Sequence, residues 1–123
     1  MGWRVFFIVA ALFNFAAGLP LLLAPELMLA NLNIPVPVDL LFHRMTGLLV
    51  VVFGLLYAFV AVDQVRYRAL VWLGVVGKTG VVVLFAQAFL AGSIPLPAFA
   101  VSLGDLAFTL GFLVFLLRAK TAA

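Results

Sequence analysis

Two residues of this chain, Lys78 and Asp105, sit deep inside long apolar runs, where an ionised side chain is costly and has to find a partner. At 1.5 Å per residue, Lys78 stands roughly 13 Å along its run from Ala69, and Asp105 roughly 12 Å along its run from Pro97. If those runs are antiparallel helices, the two charges differ in height by only about 5 Å, which a lysine stem spans. Lys78 with Asp105 is therefore the first pairing expected. Arg44 lies shallower in another run, but its long guanidinium side chain makes Arg44 with Asp105 the second.

Such a cluster admits two kinds of use. A buried Lys78–Asp105 pair fixes helix register, with Asn14, Ser102 and Thr109 as hydrogen-bonding support. Alternatively, His43, Arg44 and Lys78 together oppose one deep acid, leaving a locally positive pocket that an anionic group completes. A lipid, a quinone-like molecule or a small anionic substrate would supply that group. A partner membrane subunit, or a second copy in a homo-oligomer, would be a further source. On this reading the ligand-binding residues are Arg44, Lys78 and Asp105, assisted by His43, Asn14 and Thr109. The expected function is a membrane binding or transport module, with a non-catalytic accessory subunit of a larger complex as the alternative.

Other chemistries find little support. One histidine without a second His, any Cys or clustered carboxylates cannot close a coordination sphere, so no metal site is expected. There is no Ser/His/Asp arrangement, glycine-rich phosphate loop or carboxylate dyad, and no catalytic residue is assigned. A desolvated Lys78 acting as a base is the one enzymatic route, and the residues name no cofactor. With no cysteine, disulfide and thiol chemistry are excluded. A net charge of +3 invites a nucleic-acid reading, but the basic residues form no run interleaved with aromatics.

The elements that must position these groups follow from composition. Of 123 residues, 68% are hydrophobic and 9% charged, far too few charges to cover a soluble domain of this size. Four windows reach the length of about 20 apolar residues that a bilayer core of about 30 Å requires: Trp3 to Leu23, Leu40 to Val62, Ala69 to Ala91 and Pro97 to Leu117. The first is longer than a signal core and is expected to be a span. The chain is therefore expected to be all-α, a single polytopic membrane domain over 1–123. Its architecture is a four-transmembrane-helix up-and-down bundle, with a short interfacial helix near Pro25–Leu32 between the first and second spans.

Arg4, Arg66, Arg68, Arg118 and Lys120 fall on one side of the membrane, so the positive-inside rule places both termini in the cytoplasm. Packed faces are expected where small residues recur: Ala10, Asn14, Ala17 and Gly18 on the first span, Gly47, Gly54 and Ala61 on the second, and Gly74, Gly77 and Lys78 on the third. Ser102, Asp105 and Thr109 form a polar stripe on the fourth, while Thr79 and Gln87 point away from Lys78.

Arg44-Met45-Thr46-Gly47 followed by Phe53-Gly54-Leu55, with Gly77-Lys78 in a later helix, resembles features of small bacterial four-helix membrane proteins of the DoxX-like type. Gly77-Lys78 departs from the usual spacing and helix of that group. The resemblance implies a protein of the bacterial cytoplasmic membrane that works with a partner or binds a small lipophilic molecule.

Overall fold

A computed structural model describes residues 2–122, with side chains over 2–118. Lys120, one of the five cations expected on the cytoplasmic side, has its side chain outside this range. The described residues form five helices, α1 (Gly2–Leu23), α2 (Pro25–Asn31), α3 (Leu41–Val62), α4 (Leu70–Leu90) and α5 (Leu96–Ala122). Four of them, α1, α3, α4 and α5, are long and apolar enough to cross a membrane, and the chain is an all-α four-helix membrane bundle. These helices start and stop within about two residues of the four apolar windows, except that α5 runs on past Leu117.

The short α2 is present where Pro25 sets its first turn and Glu26 complements its positive end. Leu29 is buried and Leu27 is exposed, so α2 turns one leucine onto the bundle and the other outward. It ends in a Schellman motif: Ile34 N–H donates to Leu29 C=O and Asn33 N–H to Ala30 C=O, with Asn33 at φ 60°. The end of α4 repeats the device, with Gly92 at φ 78° and Ser93 N–H bonded to Ala88 C=O. Pro20 lies inside α1, which nevertheless continues to Leu23.

Lipid tails compete equally for apolar side chains, so association in a bilayer favours close backbone approach. The bundle is built from two well-packed pairs, α1 with α3 and α4 with α5, with lighter contact between α3 and α4. Gly18 and Gly47 make the α1–α3 crossing: a Cβ on Gly47 would come 2.5 Å from the Leu22 nitrogen, and one on Gly18 2.9 Å from the Gly47 carbonyl oxygen. Between the pairs the contact is aromatic. Phe13 and Phe6 of α1 press against Gly104 and Gly111 of α5, and Tyr57 of α3 against Gly74 of α4, which also receives Phe112 from within its own pair. Phe7 and Phe112 stack at 5.6 Å with rings 1° from parallel, at the centre of a core completed by Tyr57, Val60, Val71 and Phe115.

Basic side chains tie one end of this assembly together. Arg4 Nε donates to Ala61 C=O at 3.1 Å, and Arg68 donates to Leu116 C=O. The start of α1, the end of α3, the start of α4 and the C-terminal part of α5 therefore share one end of the bundle. The first of these bonds also serves a carbonyl in the last turn of α3, which lacks an intrahelical donor.

Candidate functional site

On α5, Ala98, Ser102, Thr109, Phe112 and Leu116 are buried at alternating spacings of three and four, and Asp105 occupies the middle of that ladder. On α4 the buried residues are Val71, Gly74 and Lys78, a narrow inward stripe. On α1, Asn14 shares the buried face with Phe7, Ala10, Ala11 and Gly18. The two packed pairs bring these three stripes together at mid-bundle.

Lys78 Nζ lies 2.5 Å from Asp105 Oδ1 and 2.9 Å from Asn14 Oδ1, donating to both. Asn14 Nδ2 in turn donates to Val50 C=O of α3 at 3.0 Å. This bonding fixes the Asn14 amide orientation, because an ammonium only donates and a carbonyl only accepts. Three rings enclose the ammonium: Phe13 with its centroid at 5.0 Å, Phe108 at 5.4 Å and Tyr57 at 5.6 Å. All lie within cation–π range, so the lysine is held by one anion, one amide oxygen and three π faces.

The two partners of the ion pair are not equally enclosed. The Lys78 side chain is 6% exposed and that of Asp105 15%. Two Lys78 N–H groups are engaged and the third is left among the rings. On Asp105, Oδ1 takes the lysine, whereas Oδ2 carries no hydrogen bond among the described residues. The open valence of the cluster is an acceptor.

Of the residues expected at the site, Lys78, Asp105 and Asn14 are brought together. Thr109 is buried nearby, but its hydroxyl donates to the Asp105 backbone carbonyl at 2.9 Å, one helical turn back, and Ser102 likewise bonds Phe99 C=O. Arg44 makes no salt bridge with Asp105. It is exposed, and its Nε donates at 3.1 Å to Leu22 C=O at the end of α1. That carbonyl lies close to Arg44 across the Gly18–Gly47 crossing and lacks an intrahelical donor, so the guanidinium binds there. His43 is half-buried, with a buried Nδ1 that has no hydrogen-bond partner. The expected convergence of three cations on one acid is thus reduced to one, Lys78.

Thr79 and Gln87 are exposed on the opposite face of α4, as their spacing indicated. Phe13, Phe108 and Val50 C=O were missed. Phe108 is three residues from Asp105 and Phe13 adjoins Asn14, so aromatic spacing around the polar residues was the available signal. Among the described residues no group of three His, Cys, Asp or Glu could hold a metal ion.

No family model, curated protein or solved structure matches the chain.

Proposed function

We propose that this protein is a membrane-embedded binding or transport module whose ligand is a lipophilic molecule carrying a hydrogen-bond donor, received at Asp105 beside Lys78 and Asn14. One observation carries this reading: Asp105 Oδ2 is unbonded on an otherwise buried helix face, while the Lys78 ammonium already donates to Asp105 Oδ1 and Asn14 Oδ1 and turns its third N–H to aromatic rings. A hydroxyl or N–H group, as on a lipid alcohol or a reduced quinone-like head, meets the open acceptor. An anionic ligand of the kind first expected would have to displace Asp105 from Lys78, and so suits the site less well. The half-buried rings of Phe13 and Phe108 supply apolar walls for such a head group.

We place the module in a bacterial cytoplasmic membrane with both termini inside, supported by Arg4, Arg66, Arg68 and Arg118 and by the short DoxX-like resemblance. A second reading, a non-catalytic accessory subunit with a purely structural ion pair, is favoured by the complete shell around Lys78. Native mass spectrometry of protein extracted in mild detergent separates the two. Binding predicts a retained lipophile of defined mass that is lost in Asp105→Asn, whose one amide oxygen is held by Lys78 and whose NH2 puts a donor where Oδ2 was an acceptor. Wild-type protein without any retained species, together with a Lys78→Met/Asp105→Leu variant that assembles normally, would support the accessory reading instead.

A further inference from the structure

Away from the ion pair, a groove of about 640 Å³ runs between α1 and α3 on the outside of the bundle. Arg4, Ile8, Ala11, Leu12 and Phe15 line it from α1, and Ala58, Ala61 and Val62 from α3. The α1 residues recur at helical spacing on one face, adjacent to the face that carries Asn14. Ala11, Ala58 and Ala61 leave the floor shallow, while Ile8, Leu12 and Phe15 raise its edge. Apart from Arg4 the lining is apolar.

Two dimensions narrow the occupant. From Arg4 to Phe15 the groove extends about 16 Å along α1, close to the hydrocarbon depth of one leaflet, about half of 30 Å. Its volume falls within the usual range of about 300–1,000 Å³ for small-molecule sites. Arg4 stands at the outer end of this track, where a headgroup would lie. Its guanidinium has five N–H donors and gives them only to Ala61 C=O and Val62 C=O, at 3.1 and 3.5 Å. It remains exposed and forms no salt bridge among the described residues. Apolar walls one leaflet deep beneath an arginine with free donors match a lipid with an anionic head and an acyl chain.

We infer that the α1–α3 groove binds one acidic glycerophospholipid of the leaflet at the Arg4 end, with its phosphate on Arg4 and one acyl chain laid along Ala11, Ala58 and Ala61. Arg4 then serves both partners, capping the end of α3 with Nε and facing the phosphate with its remaining donors. The site involves neither Lys78 nor Asp105 and stands independently of the ligand proposed for them.

The test is lipid retention by native mass spectrometry, using protein reconstituted with equal amounts of phosphatidylglycerol and phosphatidylcholine of identical chains. Wild-type protein is expected to keep phosphatidylglycerol about fivefold better, the preference one basic side chain confers near a membrane surface. Arg4→Gln brings the ratio to about one, and Arg4→Lys restores most of it. Ala11→Leu and Ala58→Leu each fill the floor and lower retention of both lipids, with the helical circular dichroism and elution volume of each variant confirming the fold. Equal retention by wild type, an unchanged ratio in Arg4→Gln, or unchanged retention in both leucine variants overturns the inference. A retained species with the mass of a free fatty acid does so as well.

Discussion

Replacing Lys78 with Met removes the ammonium but little volume, and its cost follows from what is left behind. Asp105 would stay on the buried face of α5 without a cation, and Asn14 Oδ1 would lose its donor. An unpaired charge near the centre of a membrane helix costs about 2.5–3.5 kcal/mol on the insertion scale, and an interhelical hydrogen bond in a bilayer averages about 0.6 kcal/mol. Lys78→Met should therefore lose about 3–4 kcal/mol. Asp105→Leu strands the lysine instead, but Asn14 and three aromatic rings remain around it, so its loss should be about 1 kcal/mol smaller. The double variant leaves no stranded charge and should recover most of either loss, giving a coupling of at least about 2 kcal/mol. Reversible unfolding in mixed micelles, applied to all four corners of the cycle, measures this. Strict additivity would mean that neither charge depends on the other in the bilayer, and the central ion pair would have no energetic meaning.

Two further outcomes follow from the packing. Gly47→Ala places a Cβ 2.5 Å from the Leu22 nitrogen and should cost about 1–3 kcal/mol, whereas Gly80→Ala, with nothing within 4 Å, should be neutral or stabilise by up to about 1 kcal/mol; the same unfolding assay separates them. A double-mutant cycle on Arg44→Gln and Asp105→Asn should show coupling below about 0.5 kcal/mol, since Arg44 is bonded to Leu22 C=O, and a larger value would place Arg44 back at the carboxylate.

The spans and the Lys78–Asp105 pair were legible in the sequence because the bilayer leaves so few options. A span must be about 20 apolar residues, and a deep lysine at the height of a deep aspartate has nowhere better to go. Arg44 was misread for a physical reason. Its reach was estimated along the bundle, but the Gly18–Gly47 crossing brings the open carbonyl of Leu22 beside it, and a nearby acceptor wins over a distant acid. Thr109 was misread because a helical threonine can bond its own chain one turn back, which spacing alone does not distinguish from an interhelical bond. Of the glycines marked for close packing, Gly54 receives the ring of Phe15 and Gly74 that of Tyr57. Gly104 and Gly111, which were not marked, are matched to Phe13 and Phe6 by a crossing geometry that exists only in the assembled bundle.

That assembly gives Asn14 a role which a list of site residues does not convey. The tight pairs are α1 with α3 and α4 with α5, and Asp105 is on the same side of that division as Lys78. Asn14 is on the other, bonded to Lys78 across the divide and to Val50 C=O within its own pair. Helix α4 packs on α5 and more lightly on α3, so the bond from Lys78 to Asn14 is a polar link from it to α1. Asn14→Leu, which keeps the branched four-atom side chain and removes both bonds, should loosen the fit between the pairs and leave each pair intact. The absence of native cysteine makes this directly measurable with spin labels at introduced cysteines. Labels at Val9 and Leu110, exposed on α1 and α5, report across the division, and labels at Val9 and Leu55 report within the α1–α3 pair. Asn14→Leu should broaden the first distance distribution and leave the second unchanged. Equal broadening of both would show that Asn14 supports the α1–α3 crossing itself, and no change in either would show that the aromatic contacts hold the pairs together without it.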